Sequence, residues 1–202
     1  LRLAGAENIR GIMYQDRAHV FVGWRTPIGT VIYDVLTQQW HTRGTLNSDT
    51  WRYTAIVTAG TRTFVADADG IFDELSRDYT SEHMADASTM GTEIVREFTA
   101  IAPALPNRIA INTVRLESAK GVGLAAGQGS DPIVRMRFSV DGGNTWSPWR
   151  DRPLGVQGRY DQPTIWRRCG RAGRQDMVFW FSKSDPVKEA YLGVVINEDE
   201  AA

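Results

Sequence analysis

Apolar residues fall along this chain in short runs that alternate with polar ones and are separated by Gly, Asp, Asn and Pro, the period of strands rather than helices. His19-Val20-Phe21-Val22-Gly23-Trp24 and Thr30-Val31-Ile32-Tyr33-Asp34 set the pattern. Tyr53 to Thr58, Thr63 to Ala66, Ile71 to Leu75 and Thr92 to Thr99 continue it. Ala59-Gly60 and Asp69-Gly70 supply turns, the second read as a type I′ turn in which both residues take positive φ. No long helical period is visible.

Phe21-Val22 recurs as Phe64-Val65, and Ile32-Tyr33-Asp34 as Ile71-Phe72-Asp73. The spacing is about 40 residues, the length of a propeller blade. A polar, small-residue stretch from Ser81 to Gly91 and the segment Ala102-Pro103-Ala104-Leu105-Pro106-Asn107 then interrupt the pattern, which predicts a boundary near residue 100. Strands resume at Ile111 to Glu117, Ile133 to Val140, Thr164 to Cys169, Met177 to Ser182 and Ala190 to Ile196. The expected fold is all-β: propeller-like blades over 1–100, as a fragment of a larger domain, then an antiparallel β-rich region over 101–202.

Two strands carry more information than their length. Arg135-Met136-Arg137-Phe138-Ser139-Val140 alternates cleanly, so one face meets a core and the other faces water or a partner. Met177-Val178-Phe179-Trp180-Phe181 is apolar on both faces, and Ile165-Trp166-Arg167-Arg168-Cys169 mixes apolar and Arg residues on both. Something is expected to cover the second face of each.

Composition narrows the class. With 202 residues, 42% hydrophobic, and seven Trp, six Tyr and seven Phe, the chain has ample material for a core and is neither disordered nor fibrous. No apolar stretch approaches the ~20 residues of a membrane-spanning helix. The single Cys169 can form neither an internal disulfide nor, alone, a metal site, which points to a reducing cytosol. The chain opens at Leu1 without a charged and then apolar leader, and reads as part of a longer protein. A net charge of -1 conceals 20 Arg against three Lys. Genome composition accounts for that bias, as does selection for planar, bidentate contacts at interfaces.

The candidates for chemistry dissolve on inspection. Gly121-Val122-Gly123-Leu124-Ala125-Ala126 satisfies a dinucleotide-binding pattern, but Gly127-Gln128-Gly129-Ser130-Asp131-Pro132 would end the helix which that mechanism needs, so a flexible hairpin loop is expected. Asp67-Ala68-Asp69-Gly70 has the opening of a calcium loop with its glycine two positions early. His19, His41 and His83 are scattered, without metal-ligand spacing. Neither a nucleophile elbow nor a phosphate-binding loop occurs. The chain is therefore expected not to be an enzyme, with no catalytic residue, no cofactor, no metal and no small-molecule substrate.

The sharpest local motif is Ser139-Val140-Asp141-Gly142-Gly143-Asn144-Thr145-Trp146. It resembles the Asp-box hairpin of sialidases and many unrelated β proteins. Its structural positions are Ser139, Asp141, Gly143, Thr145 and Trp146: Asp141 to accept turn amides, Gly143 to take a left-handed conformation, Trp146 to pack on the hairpin. In sialidase folds such boxes lie away from the catalytic centre, so the resemblance does not imply glycoside hydrolysis.

Seven Arg fall between Arg150 and Arg174, interleaved with Tyr160 and Trp166. Such a stretch could track phosphates, yet Asp151, Asp161 and Asp176 interrupt it and the chain is not basic, which favours a protein interface built on Trp166, Arg167, Arg168 and Arg171. Packaged DNA is then at most an indirect partner.

The ordered set Asp131-Pro132, Arg135 through Ser147, Gly158-x-Tyr160, Ile165-Trp166-Arg167-Arg168-x-Gly170-Arg171, Val178-Phe179 and Ser184-Asp185-Pro186-Val187-Lys188 resembles the phage stabilisation protein family. These are the packaged-DNA stabilisation, or tail-hub, proteins of short-tailed phages. Gly29 to Asp34 and Gln39-Trp40 look like the β-propeller portion of the same family. The resemblance implies a structural virion protein, assembled in the bacterial host cytoplasm and placed in the phage tail. There a homo-hexameric ring would close the portal channel and stabilise packaged DNA, with the portal adaptor, tail needle and tail spike or fibre proteins as partners. The alternative is a carbohydrate-binding or sialidase-like propeller, suggested by the hairpin motif and by Trp24, Trp40, Trp51 and Trp149.

Overall fold

The alternating runs become strands wherever a turn residue lets the chain reverse. The computed structural model describes residues 8–45, 48–76, 79–82, 92–187 and 190–197; His83, most of the polar stretch before Gly91, and Lys188 lie outside them. Among the described residues the strands of every sheet of three or more strands pair antiparallel, and there is no α-helix. The chain divides into two units, Leu1–Thr92 and Glu93–Ala202.

The first unit holds two meanders. β1 (Arg10–Asp16), β2 (His19–Thr26), β3 (Gly29–Asp34) and β4 (Gln39–Arg43) form a four-stranded sheet in chain order. β5 (Ala55–Ala59), β6 (Arg62–Ala66) and β7 (Phe72–Leu75) form a three-stranded one. Two blade-like meanders are not a closed propeller. Ile12, Tyr14, Phe21, Ile32, Trp51, Tyr53 and Val65 form the core of this unit, and Arg43 lies over the rings of Tyr14 and Trp51 at 5.2 and 5.1 Å.

The short repeat is out of phase with this core. Phe21 is buried in β2 opposite Asp34, whereas in β6 it is Val65 that is buried, opposite Asp73, and Phe64 turns outward onto Phe72. Matching Phe21-Val22 to Phe64-Val65 therefore superposes opposite faces, because a shift of one residue exchanges the two sides of a strand. The Asp69-Gly70 turn also differs from expectation. Only Gly70 has positive φ, and β6 and β7 are joined by residues 67–71, organised by Asp67, whose Oδ1 accepts the amides of Asp69 and Ile71.

Two short strands, β8 (Ser81–Glu82) and β9 (Thr92–Glu93), lead to the second unit, which is a β-sandwich. One layer has the order β10 (Arg96–Ala102), β17 (Met177–Lys183), β13 (Ile133–Ser139), β14 (Arg150–Pro153). The other has β15 (Thr164–Arg167), β12 (Thr113–Ser118), β18 (Tyr191–Ile196), with β11 (Ile109–Ala110) and β16 (Arg171–Ala172) as a small ribbon. Val134, Met136, Met177, Phe179 and Phe181 from the first layer meet Val114, Leu116 and Trp166 from the second in one fully buried core. Because β12 and β13 belong to different layers, the glycine-rich stretch 119–132 is a crossover between sheets and not the hairpin loop expected. Its Gly123 packs so closely that a Cβ would lie 2.6 Å from the carbonyl oxygen of Ser130.

Candidate functional site

The outward face of the first sandwich layer is built in rows. Cross-strand pairing places Thr99 beside Trp180 and Trp180 beside Arg137, with Glu97, Ser182, Arg135 and Asp151 forming the next row. The loop from β13 to β14 brings Trp146 and Trp149 onto this face. The Arg137 guanidinium carbon lies 4.1 Å from the ring centroid of Trp180, 4.6 Å from Trp149 and 4.8 Å from Trp146. Trp180 in turn meets Trp146 and Trp149 edge to face at 5.3 and 6.3 Å. These contacts cover the second apolar face of β17, and the three indoles remain half-buried.

The predicted hairpin residues position that cluster. Ser139 is buried at the end of β13, where its hydroxyl donates to Asp141 Oδ1 at 2.7 Å and accepts the Gly143 amide at 2.8 Å. Asp141 accepts the Thr145 amide through Oδ1 at 2.8 Å and the Thr145 hydroxyl through Oδ2 at 2.6 Å. Gly142 and Gly143 supply φ values of 73° and 101°, conformations in which a Cβ is strained. The loop then rejoins β13 through the Ser147 amide to the Phe138 carbonyl, 2.9 Å. The hydroxyls of Ser139 and Thr145, with the Thr145 amide, hold the Asp141 carboxyl down to about 2. The carboxylate is consumed by its own turn, and the product of that turn is the placement of Trp146.

The expected interface residues separate. Trp166 is fully buried, packs on Phe181 and donates its indole N–H to the Arg150 carbonyl at 2.7 Å. It is a core residue and offers no surface to a partner. Arg167, Arg168 and Arg171 are exposed, and Arg168 has φ 57° where β15 ends. Two further members of the Arg stretch serve the fold. Arg150 donates to the carbonyls of Arg167 and Arg168, and Arg152 to that of Ile165 at 2.7 Å, so that β14 and β15 are laced together at one side of the sandwich.

Other groups with chemical potential are likewise structural. His19 Nδ1 lies 2.7 Å from Asp34 Oδ2. Burial opposes ionisation of Asp34, but hydrogen bonds from His19, the Thr37 hydroxyl and the Leu36 amide outweigh it and hold the carboxyl at about 2. They pin the turn between β3 and β4. Asp67 pairs with Arg52 as well as with its own loop. Among the described residues no group of three or more His, Cys, Asp or Glu is placed to hold a metal ion.

Arg137 and Trp180 were not singled out by sequence reasoning. The signals were the unexplained second face of β17 and the Trp146-x-x-Trp149 spacing, which only the sheet register brings together.

The model of the family described as bacteriophage P22 Gp10, β-sandwich, matches residues 95–197. This chain belongs to the P22 Gp10 family. The matched span is the second unit almost from end to end, so the family's sandwich is the domain that carries the Arg137 cluster. No curated protein matches the chain. Membership of the P22 Gp10 family makes this a phage structural protein, with a domain described by its architecture and not by a reaction.

Proposed function

We propose that the chain is part of a non-enzymatic tail hub in the virion, which closes the portal channel and stabilises packaged DNA. The single observation behind this reading is the P22 Gp10 family match over the sandwich. A closed ring of subunits raises the barrier to leakage through interface area and shape and asks for no reaction chemistry. The two meanders are consecutive blades of a propeller in the intact protein, which assembles in the bacterial cytoplasm as a homo-hexamer. The portal adaptor, tail needle and tail spike or fibre proteins are its neighbours, and contact with DNA is indirect. The exposed Arg167, Arg168 and Arg171 lie at one of those interfaces.

The test is genome retention. Heads from a phage lacking this gene are purified, and the fraction holding DNA is measured with and without added full-length protein. Leakage cured by the protein is the expected result; normal retention with failed adsorption would sink the reading. A second reading, saccharide binding, is favoured by one feature. Trp24 and Trp40 lie 46% and 58% exposed on the outer face of the first meander, their rings 6.1 Å apart and 20° from parallel. A glycan array in which Trp40→Ala abolishes a saccharide signal would support it.

A further inference from the structure

We propose that Arg137 and its three indoles form a docking point for a carboxylate side chain of a protein partner, whether or not the protein seals a channel.

Among the described residues Arg137 has no counter-ion. None of them forms an ion pair or hydrogen bond to its guanidinium, although Arg135, two residues earlier on the same face, has Asp151 at 3.6 Å. Only the Nε of Arg137 is closed off from solvent without a partner, as is the indole nitrogen of Trp180. Nη1 and Nη2 are not among the atoms so closed off, which leaves the end-on edge of the fork to pair with a carboxylate in a bidentate manner.

The frame lowers the cost of using it. Three ring centroids within 4.8 Å surround the guanidinium carbon, and the Asp141 turn holds Trp146, so little side-chain freedom is lost when an acid docks. A rigid Arg among half-exposed Trp has the composition of an interface hot spot, where the rings exclude water from the ion pair they surround.

Charge decides between a protein and a nucleic acid. A phosphate backbone needs a run of cations, but the adjoining row carries Glu97 and Asp151 beside Arg135, and the row beyond Arg137 carries Ile101, Val178 and Ser139. These rows give a polyanion no continuous track of cations, whereas a single carboxylate with apolar neighbours needs only Arg137 and the apolar row beside it.

The test selects a displayed library of random short peptides on the whole chain. Enriched sequences are expected to share an Asp or Glu next to an aromatic or aliphatic residue. A synthetic member should lose at least about tenfold in affinity on Arg137→Met, which keeps a stem between the rings but no charge, with Arg137→Lys falling between. Near-UV circular dichroism checks that the Met variant keeps its packing. If it does not, the same loss is read by changing the acid of the peptide to its amide on the unaltered protein. Absence of enrichment, acid-free winners, an amide peptide that binds as well, or single-stranded DNA binding that depends on Arg137 would each overturn the proposal.

Discussion

Arg137 and Trp180 stand opposite each other on β13 and β17, with the guanidinium carbon 4.1 Å from the indole centroid. This one pair reconciles a polar residue on an alternating strand with an aromatic one on a doubly apolar strand. The cation covers the ring, and the ring replaces the water that the cation gives up.

Trp166 separates packing from assembly. With its ring wholly buried and its N–H bonded to Arg150, truncation to Ala should cost about 3–5 kcal/mol of stability. Denaturant unfolding of Trp166→Ala and Arg171→Ala side by side measures this. Arg171→Ala should unfold like the parent, since its side chain is exposed.

Acid should loosen both units over one pH range. Asp34 and Asp141 each sit at about 2 in the folded protein against an ordinary 3.8. A carboxyl with a depressed folded value contributes stability that is present above its unfolded value and is lost as pH falls from about 4 towards about 2. Thermal melts through this window should show the decline, and Asp141→Asn should flatten part of it while lowering the melting temperature at pH 7.

Two glycines on facing strands should respond oppositely to Ala. A Cβ at Gly23 would lie 2.1 Å from the Val31 carbonyl oxygen and 2.8 Å from Ile32 Cα, whereas a Cβ at Gly11 meets nothing within 4 Å. Gly23→Ala should destabilise by about 1–3 kcal/mol through forced backbone movement. Gly11→Ala should be neutral or slightly stabilising in the same melt.

Cys169 should be inert until the sandwich opens. Burial pushes its thiol up, only partly offset by the Arg150 guanidinium, whose nitrogen is 3.6 Å from Sγ. A thiol reagent at pH 8 should react slowly with native protein and rapidly after denaturation. Fast labelling of the native chain would show that the β14–β15 side is open in solution.

The strands were legible in the sequence because each run of alternating residues has a period that a strand alone can satisfy, and because Gly, Asp and Pro mark where it stops. The all-β class and the demand of β17 for a cover on its second face followed from the same local pattern. The turn at Ser139 to Thr145 was legible for a similar reason, since Ser139, Asp141, Gly143, Asn144 and Thr145 bond to one another within four positions.

Everything that depended on which strand lies beside which was decided by the tertiary structure. The pattern of β15 shows Trp166 as aromatic but not that β14 places the Arg150 carbonyl 2.7 Å from its nitrogen and so makes it core. The Phe-Val repeat is real in the sequence, yet its two copies bury opposite residues, because burial depends on where the partner sheet stands and not on identity. Trp146, Trp149 and Trp180 become one frame around Arg137 only through the pairing of β13 with β17, and pairing between distant segments has no local signature.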